Sequence, residues 1–376
     1  MDSKMKEIDF EEQPAEVLPL QYIDYLSLSQ IVITQMSGAF GEDLEDMVKD
    51  TFTQRILKGE MDLYTLAKSF SNRFFAGCPV QNRGFTNYYD YLRFIYENSP
   101  AALKDSAQHL ENERAREFLD QYPALINGEL DEQKIQELKN EKLFIEVACP
   151  HEDLQLQHGP DDSLAFIILR RKDTDRAIEK IAYRLLLWEL YKKYPHIYQE
   201  PKHPVINDWF AMKLVFCHRE QAEKESEHFY HNLALFGLKP DPRRGPIHDE
   251  RGKLVYDLAG EIIYQPSGKD NHYRYGKGYD NLIQISTVRI NGYSHSLREI
   301  VFTDVINMLV DEMDHLKFRE RQKSEISDWL ESNPVFKNKF ERYLQVGNEL
   351  SLLLPEPRAR ILAPGEYFSE ENNEEP

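Results

Sequence analysis

Stretches of helical and of strand-like hydrophobic spacing follow one another along the chain. Helical spacing covers most of residues 18–119, with breaks at Pro, Gly and Asn in "CPVQNRGF" and "NSPAA". Two runs rich in β-branched and aromatic residues come next, "KLFIEVAC" at 142–149 and "SLAFIILRR" at 163–171, and they predict a short pair of strands. We therefore expect a helix-rich α+β fold with a helical N-terminal region, a short β element and a C-terminal helical bundle.

Beyond the β element, the spacing predicts helices in "RAIEKIAYRLLLWELYKKY", in residues 209–236, in "IVFTDVINMLVDEMDHLKFRER" and in residues 335–352. The segment "NLIQISTVRI" is strand-like, and "GKLVYDLAGEIIYQ" fits either a strand or a short helix. Polar residues that can cap the first three helices precede each of them: Thr174 or Asp175, Asn207 or Asp208, and the S-x-x-E pair Ser296 and Glu299.

These patterns divide the chain into five parts. A polar tail covers 1–15, the helical N-terminal region 16–140 and the β element 141–172. The helical bundle covers 173–353, and a Pro-containing acidic tail covers 354–376.

Composition supports a folded, acidic protein. Of the 376 residues, 41% are hydrophobic and 12% aromatic, which is enough to build a sizeable core. The formal net charge of −19 disfavours binding to nucleic acids or anionic membranes, because both are polyanions. The same acidic surface would suit a basic protein partner.

Cysteine usage and hydropathy bear on location. Cys78, Cys149 and Cys217 form no C-x-x-C pair, which disfavours a disulfide framework and suits a reducing compartment. The acidic stretch "MDSKMKEIDFEEQPAE" lacks the apolar run of a signal peptide, and no segment approaches 18 uninterrupted apolar residues. We expect a cytoplasmic protein without a membrane span.

Four glutamates fall among apolar residues when the sequence is plotted at the helical step of about 100° per residue. They are Glu189, Glu225, Glu261 and Glu312. Two of them belong to Glu-x-x-His pairs with His228 and His315, and this spacing places both side chains on adjacent turns of one helix face. A buried carboxylate is unfavourable unless it is paired, protonated or bound to a metal.

The order Glu189, Glu225-x-x-His228, Glu261, Glu312-x-x-His315 resembles the ferritin-like di-iron carboxylate proteins, as do the segments "ESEHFYHNLALFG" and "VDEMDHLKF". The resemblance covers about residues 174–321. It departs from the family where Glu261 should lie, because that segment is short, contains glycine and precedes a strand-like stretch.

The resemblance implies two iron ions, or manganese, held in a helical bundle by these four glutamates and two histidines. The implied activity is that of a metal-dependent oxidase or oxygenase that activates O2 and oxidises an organic small-molecule substrate. Asp304 would then be a hydrogen-bond partner of a ligating imidazole.

Other interpretations of the same residues remain open. Glu312 and His315 can lie at the border of an apolar stripe and pair with a basic residue such as Arg319. Glu225 and His228 can lie on a solvated helix face. Glu189 can form a buried salt bridge. Glu261 can be purely structural. The whole chain can then be a non-catalytic, acidic interaction module, or a metal-free enzyme with its site near a loop at 266–290. The sequence contains no Walker loop, no G-x-S-x-G elbow and no G-x-G-x-x-G turn.

Overall fold

The computed structural model describes the parts of the chain that carry most of the predicted elements. The described residues are 28–38, 45–76, 80–99, 132–140, 142–150, 164–198, 201, 204, 206, 209–240, 283–289 and 298–352. Most of these residues are helical, and the rest of the regular structure is β-strand, so the helix-rich mixture of α and β is confirmed.

The elements are named here in chain order. The helices are α1 (Leu28–Met36), α2 (Glu45–Phe74), α3 (Tyr88–Glu97), α4 (Glu132–Asn140), α5 (Thr174–Lys193), α6 (Arg219–His231), α7 (Val305–Ser332) and α8 (Lys337–Ser351). The strands are β1 (Val80–Asn87), β2 (Lys142–Pro150), β3 (Leu164–Arg171), β4 (Phe210–Phe216), β5 (Leu238–Pro240), β6 (Ile283–Arg289) and β7 (Arg298–Asp304).

The described strands form one sheet in the order β1-β2-β3-β4-β7-β6-β5. Neighbouring strands are antiparallel except β4 and β7, which run parallel at the centre of the sheet with Met212 opposite Ile300. A parallel pair needs a long crossover, and here α6, β5 and β6 lie between the two strands in the chain. The predicted pair of strands at 142–171 is confirmed as β2 and β3, which are antiparallel neighbours.

Apolar side chains cover both faces of this sheet. One face, called here the helix-rich face, receives Leu214 and Phe216 of β4 and is packed by α1, α2, α5, α6 and α8. The other face, called here the opposite face, receives Phe166 and Ile168 of β3 and is packed by α3, α4 and the start of α7. Successive residues of a strand point to opposite faces, so central strands buried on both sides are apolar at nearly every position.

Two glycines allow close packing on the helix-rich face. A Cβ atom added to Gly59 of α2 would collide with the ring of Phe210, and one added to Gly347 of α8 would collide with the side chain of Ile178. The absence of a side chain at these two positions lets α2 approach β4 and lets α8 approach α5.

Helix α7 packs on the opposite face at its start and on the helix-rich face further along. Met308 and Leu309, in its first turns, belong to the core of the opposite face, whereas Ile326 belongs to the core of the helix-rich face. Between these points the helix passes the carboxyl end of β3, where α5 also begins. The candidate site lies at this junction.

The predicted C-terminal helical bundle is not confirmed, because residues 173–353 supply β4, β5, β6 and β7 to the sheet. The prediction of one helix over 209–236 is wrong in its first half, where Phe210–Phe216 is a central strand and α6 begins only at Arg219. The prediction that Ser296 and Glu299 cap a long helix is wrong as well, since Glu299 lies in β7. A short apolar run buried on both faces does not show the period of two that identifies a strand.

The actual cap of α7 is Asp304, whose carboxylate accepts a hydrogen bond from the backbone N–H of Asn307 at 3.0 Å. Its other carboxylate oxygen is bonded by the side-chain amide of Asn307. Asp304 therefore stabilises a helix start, and no imidazole is its partner in these contacts. Asp173 has the corresponding position before α5, where its side chain accepts a hydrogen bond from the N–H of Asp175. No helix among the described residues is both long and apolar enough to cross a membrane.

Candidate functional site

A charged cluster lies within the opposite face, below the first turns of α7. Lys213 of β4 points to this face from between Ile168 and Val301 on the neighbouring strands. Its Nζ atom lies 2.6 Å from Oδ2 of Asp311 and 2.6 Å from Oε1 of Glu312. Because α7 begins at its Asp304 cap, these two carboxylates come on the second turn, directly over the centre of the sheet.

The pKa shifts of the central pair show that both partners are charged. Burial alone would raise the pKa of Glu312, but the charge and hydrogen bond of Lys213, together with Arg170 and the Tyr91 hydroxyl, lower it. Burial alone would lower the pKa of Lys213, but Asp311 and Glu312 outweigh burial and raise it. Glu312 is only 4% exposed, so loss of the lysine would leave a carboxylate without a counter-ion in the protein interior.

Two tyrosines of α3 complete the surroundings of Glu312. The Tyr91 hydroxyl donates to Oε1 of Glu312 at 3.2 Å, and the Tyr88 hydroxyl approaches Oε2 at 3.4 Å. Asn87 caps α3 by accepting from the N–H of Asp90, so both rings are presented from the first turn of this helix. The segment "NYYDYLRFIY" thus supplies core packing, and its hydroxyl groups reach a buried carboxylate.

His315 connects the charged cluster to an open cavity. Its Nδ1 atom lies 3.1 Å from the Tyr88 hydroxyl, while the residue also lines the cavity. Burial, followed by the positive charges of Arg319 and Arg170, lowers the pKa of His315 well below its usual value. At neutral pH the imidazole is therefore uncharged. Burial also raises the pKa of Tyr88 to about 12, so its hydroxyl keeps its proton.

The cavity has a volume of about 80 Å³ and lies between the carboxyl end of β3, the first turns of α5 and the middle of α7. The basic residues in its lining are Arg170, Arg171, Lys172, Arg176, Lys180, Arg319 and Lys323. The acidic residues in its lining are Asp173 and Glu179. The name basic cavity is used below for this space.

Two of these arginines have carboxylate partners at short distance. Arg171 pairs with Glu60 of α2 at 2.9 Å, and Arg176 pairs with Glu179 one turn along α5 at 3.0 Å. By count, basic side chains in the lining outnumber acidic ones, seven to two. This ratio stands out because the whole chain has a net charge of −19. The basic cavity is thus a local reversal of the charge of the molecule.

The predicted metal ligands Glu225 and Glu312 lie on opposite faces of the sheet. Glu225 is buried on the helix-rich face, where its carboxylate lies 2.9 Å from the guanidinium group of Arg73. Glu312 lies on the opposite face with Lys213, so the sheet separates the two glutamates. Both were correctly predicted to point inward. In both cases a basic side chain stabilises the buried carboxylate.

Glu189 and His228, which the structure also describes, lie apart from both of these glutamates. Glu189 is half-buried and pairs with Lys339 at 2.7 Å, with Tyr343 as a second partner at 2.8 Å. His228 is exposed, and Glu261 lies outside the described residues. Of the five predicted ligands that the structure describes, it brings together Glu312 and His315 alone, which both contact Tyr88.

The five predicted ligands that the structure describes are not placed as a di-metal centre requires. Among the residues that the structure describes, no group of three or more His, Cys, Asp or Glu side chains is placed to hold a metal ion. Iron binding and the oxidase or oxygenase activity that it implies have no measurement behind them and stay predictions. The same holds for the basic protein partner and for the cytoplasmic location.

Sequence reasoning missed the residues that build the site. The signals were a lysine within the apolar run "FAMKLVF", which contains Lys213, and the "RRK" triplet at 170–172, which follows the apolar run "LAFIIL". A charged residue inside a strand buried on both faces requires a partner, which here comes from a helix about 100 residues further along the chain.

Comparisons with known proteins add no family to this description. The chain matches no protein-family model, and searches of curated proteins and of solved structures find no significant match.

Proposed function

We propose that this protein binds a small phosphate-bearing molecule in the basic cavity. One observation carries the proposal: seven basic and two acidic residues line a single cavity in a chain whose net charge is −19. Guanidinium and ammonium groups form charge-assisted hydrogen bonds with phosphate oxygens, and such bonds are about twice as strong as neutral ones. Arginine is the side chain that matches two phosphate oxygens at once.

The size of the cavity favours a small ligand over a polymer. A space of about 80 Å³ corresponds to several water molecules, on the order of 10–15 Å³ each, which suffices for an oxyanion group but not for a folded polymer segment. The acidic remainder of the molecule would also repel a nucleic acid beyond the few charges that the cavity can contact.

His315 supplies a neutral group at the inner end of the cavity. Since its Nδ1 atom is engaged by the Tyr88 hydroxyl, the other ring nitrogen is the one that remains for a ligand. A neutral imidazole accepts or donates one hydrogen bond there, depending on its tautomer, without adding a further positive charge. The tyrosine in turn is supported by Glu312 and by the Arg319 guanidinium group, which stacks over its ring at 5.0 Å.

The test is titration calorimetry of the purified protein with inorganic phosphate and with phosphorylated small molecules at fixed ionic strength. We expect saturable binding that weakens by about tenfold in Arg319→Gln, since the loss of one charge-assisted hydrogen bond corresponds to about that factor. Arg321→Gln is the matched control, because this exposed arginine lies two residues away on α7 and does not line the cavity. Equal weakening in both variants, or no binding of any phosphate compound, would overturn the proposal.

A further inference from the structure

His315 is the residue at which the buried charged cluster reaches the basic cavity. Its Nδ1 atom lies 3.1 Å from the Tyr88 hydroxyl, and the same hydroxyl lies 3.4 Å from Oε2 of Glu312. Because His315 also lines the cavity, one tyrosine connects a carboxylate in the protein interior to the space proposed for the ligand. In such a chain of hydrogen bonds, the position of each proton depends on the neighbouring group.

The carboxylate of Glu312 determines where the Tyr88 proton lies. An ionised carboxylate accepts hydrogen bonds and donates none. Lys213 and Tyr91 both donate to Oε1, whereas among the described residues Tyr88 is the donor that reaches Oε2. A buried carboxylate oxygen without a donor is unfavourable, and a bond to a charged acceptor is about twice as strong as a neutral one. Tyr88 therefore donates its proton to Glu312, although His315 is slightly closer.

The tautomer of His315 follows from the direction of that bond. A hydroxyl group that gives its only proton to Glu312 has lone pairs left, so it accepts a hydrogen bond from the Nδ1–H group of His315. The imidazole is uncharged, since burial and the positive charges of Arg319 and Arg170 oppose a second proton on the ring. The single ring proton thus lies on Nδ1, and Nε2 keeps a lone pair that can accept a hydrogen bond.

A hydrogen-bond acceptor among basic residues can distinguish between ligands of similar charge. Guanidinium and ammonium groups only donate hydrogen bonds, so the basic residues of the lining suit phosphate and sulfate alike. An unprotonated Nε2 gains a hydrogen bond from a ligand with an O–H group, but it faces only further lone pairs in a ligand without one. Two acceptors held against each other away from water lose affinity, as any unsatisfied polar group does.

We infer that Nε2 of His315 accepts a hydrogen bond from the ligand, so that the cavity selects phosphate compounds with an O–H group. This inference rests on the proposed function and specifies its ligand class. Two sources share this chemistry. Inorganic phosphate retains at least one proton at neutral pH, whereas sulfate retains none. A phosphate monoester has mostly lost its last proton at about pH 7.5, so an ester must supply the O–H group from a hydroxyl on a neighbouring carbon, as esters of polyols and sugars do.

The first measurement locates the ring proton without any ligand. Long-range ¹H–¹⁵N correlation spectra of the full chain, labelled with ¹⁵N at its 12 histidines, distinguish a protonated from an unprotonated ring nitrogen. We expect a protonated Nδ1 and an unprotonated Nε2 in His315, whose signals are assigned by their loss in His315→Gln. In Tyr88→Phe, which keeps the ring but lacks the hydroxyl, we expect a mixture of both tautomers. A proton on Nε2 in the wild type would overturn the inference.

The second measurement compares ligands with and without the O–H group by titration calorimetry at about pH 7.5 and fixed ionic strength. The matched pairs are inorganic phosphate with sulfate, and glycerol 3-phosphate with n-propyl phosphate. We expect the O–H compound to bind at least about tenfold more tightly than its partner, because the partner leaves Nε2 unsatisfied. A preference in the inorganic pair alone identifies inorganic phosphate as the ligand, and one in the ester pair identifies a polyol or sugar ester.

Variants assign the preference to His315. His315→Leu removes the acceptor and should abolish the preference for phosphate over sulfate, while sulfate binding stays nearly unchanged. Tyr88→Phe should reduce the preference without removing it. His228→Leu is the matched control, since this histidine is exposed on α6 and should leave the preference intact. The comparisons within the wild type do not depend on the folding of any variant.

The possible failures are distinguishable. If both members of each pair bind equally, or if His315→Leu folds and keeps the full preference, the inference is wrong and the proposed function survives. If none of the four compounds binds, the proposed function itself is wrong.

Discussion

The buried cluster around Lys213 and the basic cavity at His315 lie on either side of Tyr88, yet they treat charge in opposite ways. Inside the cluster, one ammonium group meets two carboxylates at 2.6 Å, and tyrosine hydroxyls bond to Glu312. In the cavity, basic groups outnumber acidic ones. The first arrangement pairs opposite charges inside the protein, whereas the second brings many basic side chains to one cavity, where we propose that a phosphate group binds.

The difference teaches how to interpret buried charge in a protein of this kind. A carboxylate on the inward side of a helix requires an explanation, but a lysine in a neighbouring strand is a sufficient one. Like charges gathered at one cavity repel one another and attract ions of the opposite sign. Four predictions test this difference between compensated and exposed charge, beginning with the largest expected effect.

Breaking the cluster should be the most damaging change. Lys213→Met leaves Glu312 and Asp311 without their shared cation, and we expect the free energy of unfolding to fall by about 3–5 kcal/mol in urea denaturation. Adding Glu312→Leu should recover part of the loss, because an apolar pair of similar volume removes the unpaired charge. A loss below about 1 kcal/mol for Lys213→Met would show that the cluster is solvated and not compensated.

Filling the cavity should stabilise the protein by mass action. At a ligand concentration of 100 times Kd, the free energy of unfolding should rise by about 2.7 kcal/mol, measured by denaturation with and without inorganic phosphate. In Arg319→Gln, the same concentration of inorganic phosphate should stabilise the fold less, since the affinity is lower. Stabilisation that is equal in the wild type and in this variant would place the ligand elsewhere on the molecule.

Acidification should act through His315. Its folded-state pKa is lowered, so the unfolded chain binds a proton at a higher pH than the folded protein does. The contribution of His315 to stability is therefore fully present above its unfolded-state pKa of about 6.5. This contribution is lost as the pH falls from there towards the folded-state pKa, with a slope of at most about 1.4 kcal/mol per pH unit.

The measurement is urea denaturation between pH 7 and 5. His315→Gln should have a shallower dependence on pH than the wild type, whereas His228→Gln, at an exposed position, should keep the wild-type slope. An unchanged slope in His315→Gln would mean that the imidazole titrates alike in the folded and unfolded states.

The smallest effect should come from a pair that is open to water. Glu189 and Lys339 lie 2.7 Å apart, but their side chains are 37% and 39% exposed. We expect Lys339→Met to change the free energy of unfolding by less than about 1 kcal/mol, since water already screens both charges. If Lys339→Met lowered the free energy of unfolding as much as Lys213→Met does, burial could not explain why the two ion pairs differ.

The prediction of a di-iron centre has its own test. Elemental analysis of protein produced with iron supplied gives the number of metal ions per chain, and two would restore the predicted centre despite the separation of Glu225 and Glu312. Well under one would end it. The visible spectrum of the aerobic protein provides an independent readout of the same question.

Local patterns predicted several elements well. The runs at 142–149 and 163–171 are β2 and β3, and "NLIQISTVRI" contains β6. The helices that contain Glu189 and Glu312 also exist, although the cap of α7 lies eight residues after Ser296. The central strands β4 and β7 escaped prediction because each is short, is buried on both faces and is followed by a helix within three residues. Their hydrophobic spacing is compatible with an extended helix until the sheet neighbours are known.

From the sequence by itself came the helix-rich mixture of α and β, the acidic balance of the chain and the inward direction of Glu225 and Glu312. Each of these depends on composition or on spacing within one element. Tertiary structure alone decided which basic residue forms an ion pair with each glutamate, because Arg73 and Lys213 come from elements distant in the chain. It also decided that β3, α5 and α7 bring their basic residues to one cavity, since charges scattered over about 150 residues become a site only when the fold superimposes them.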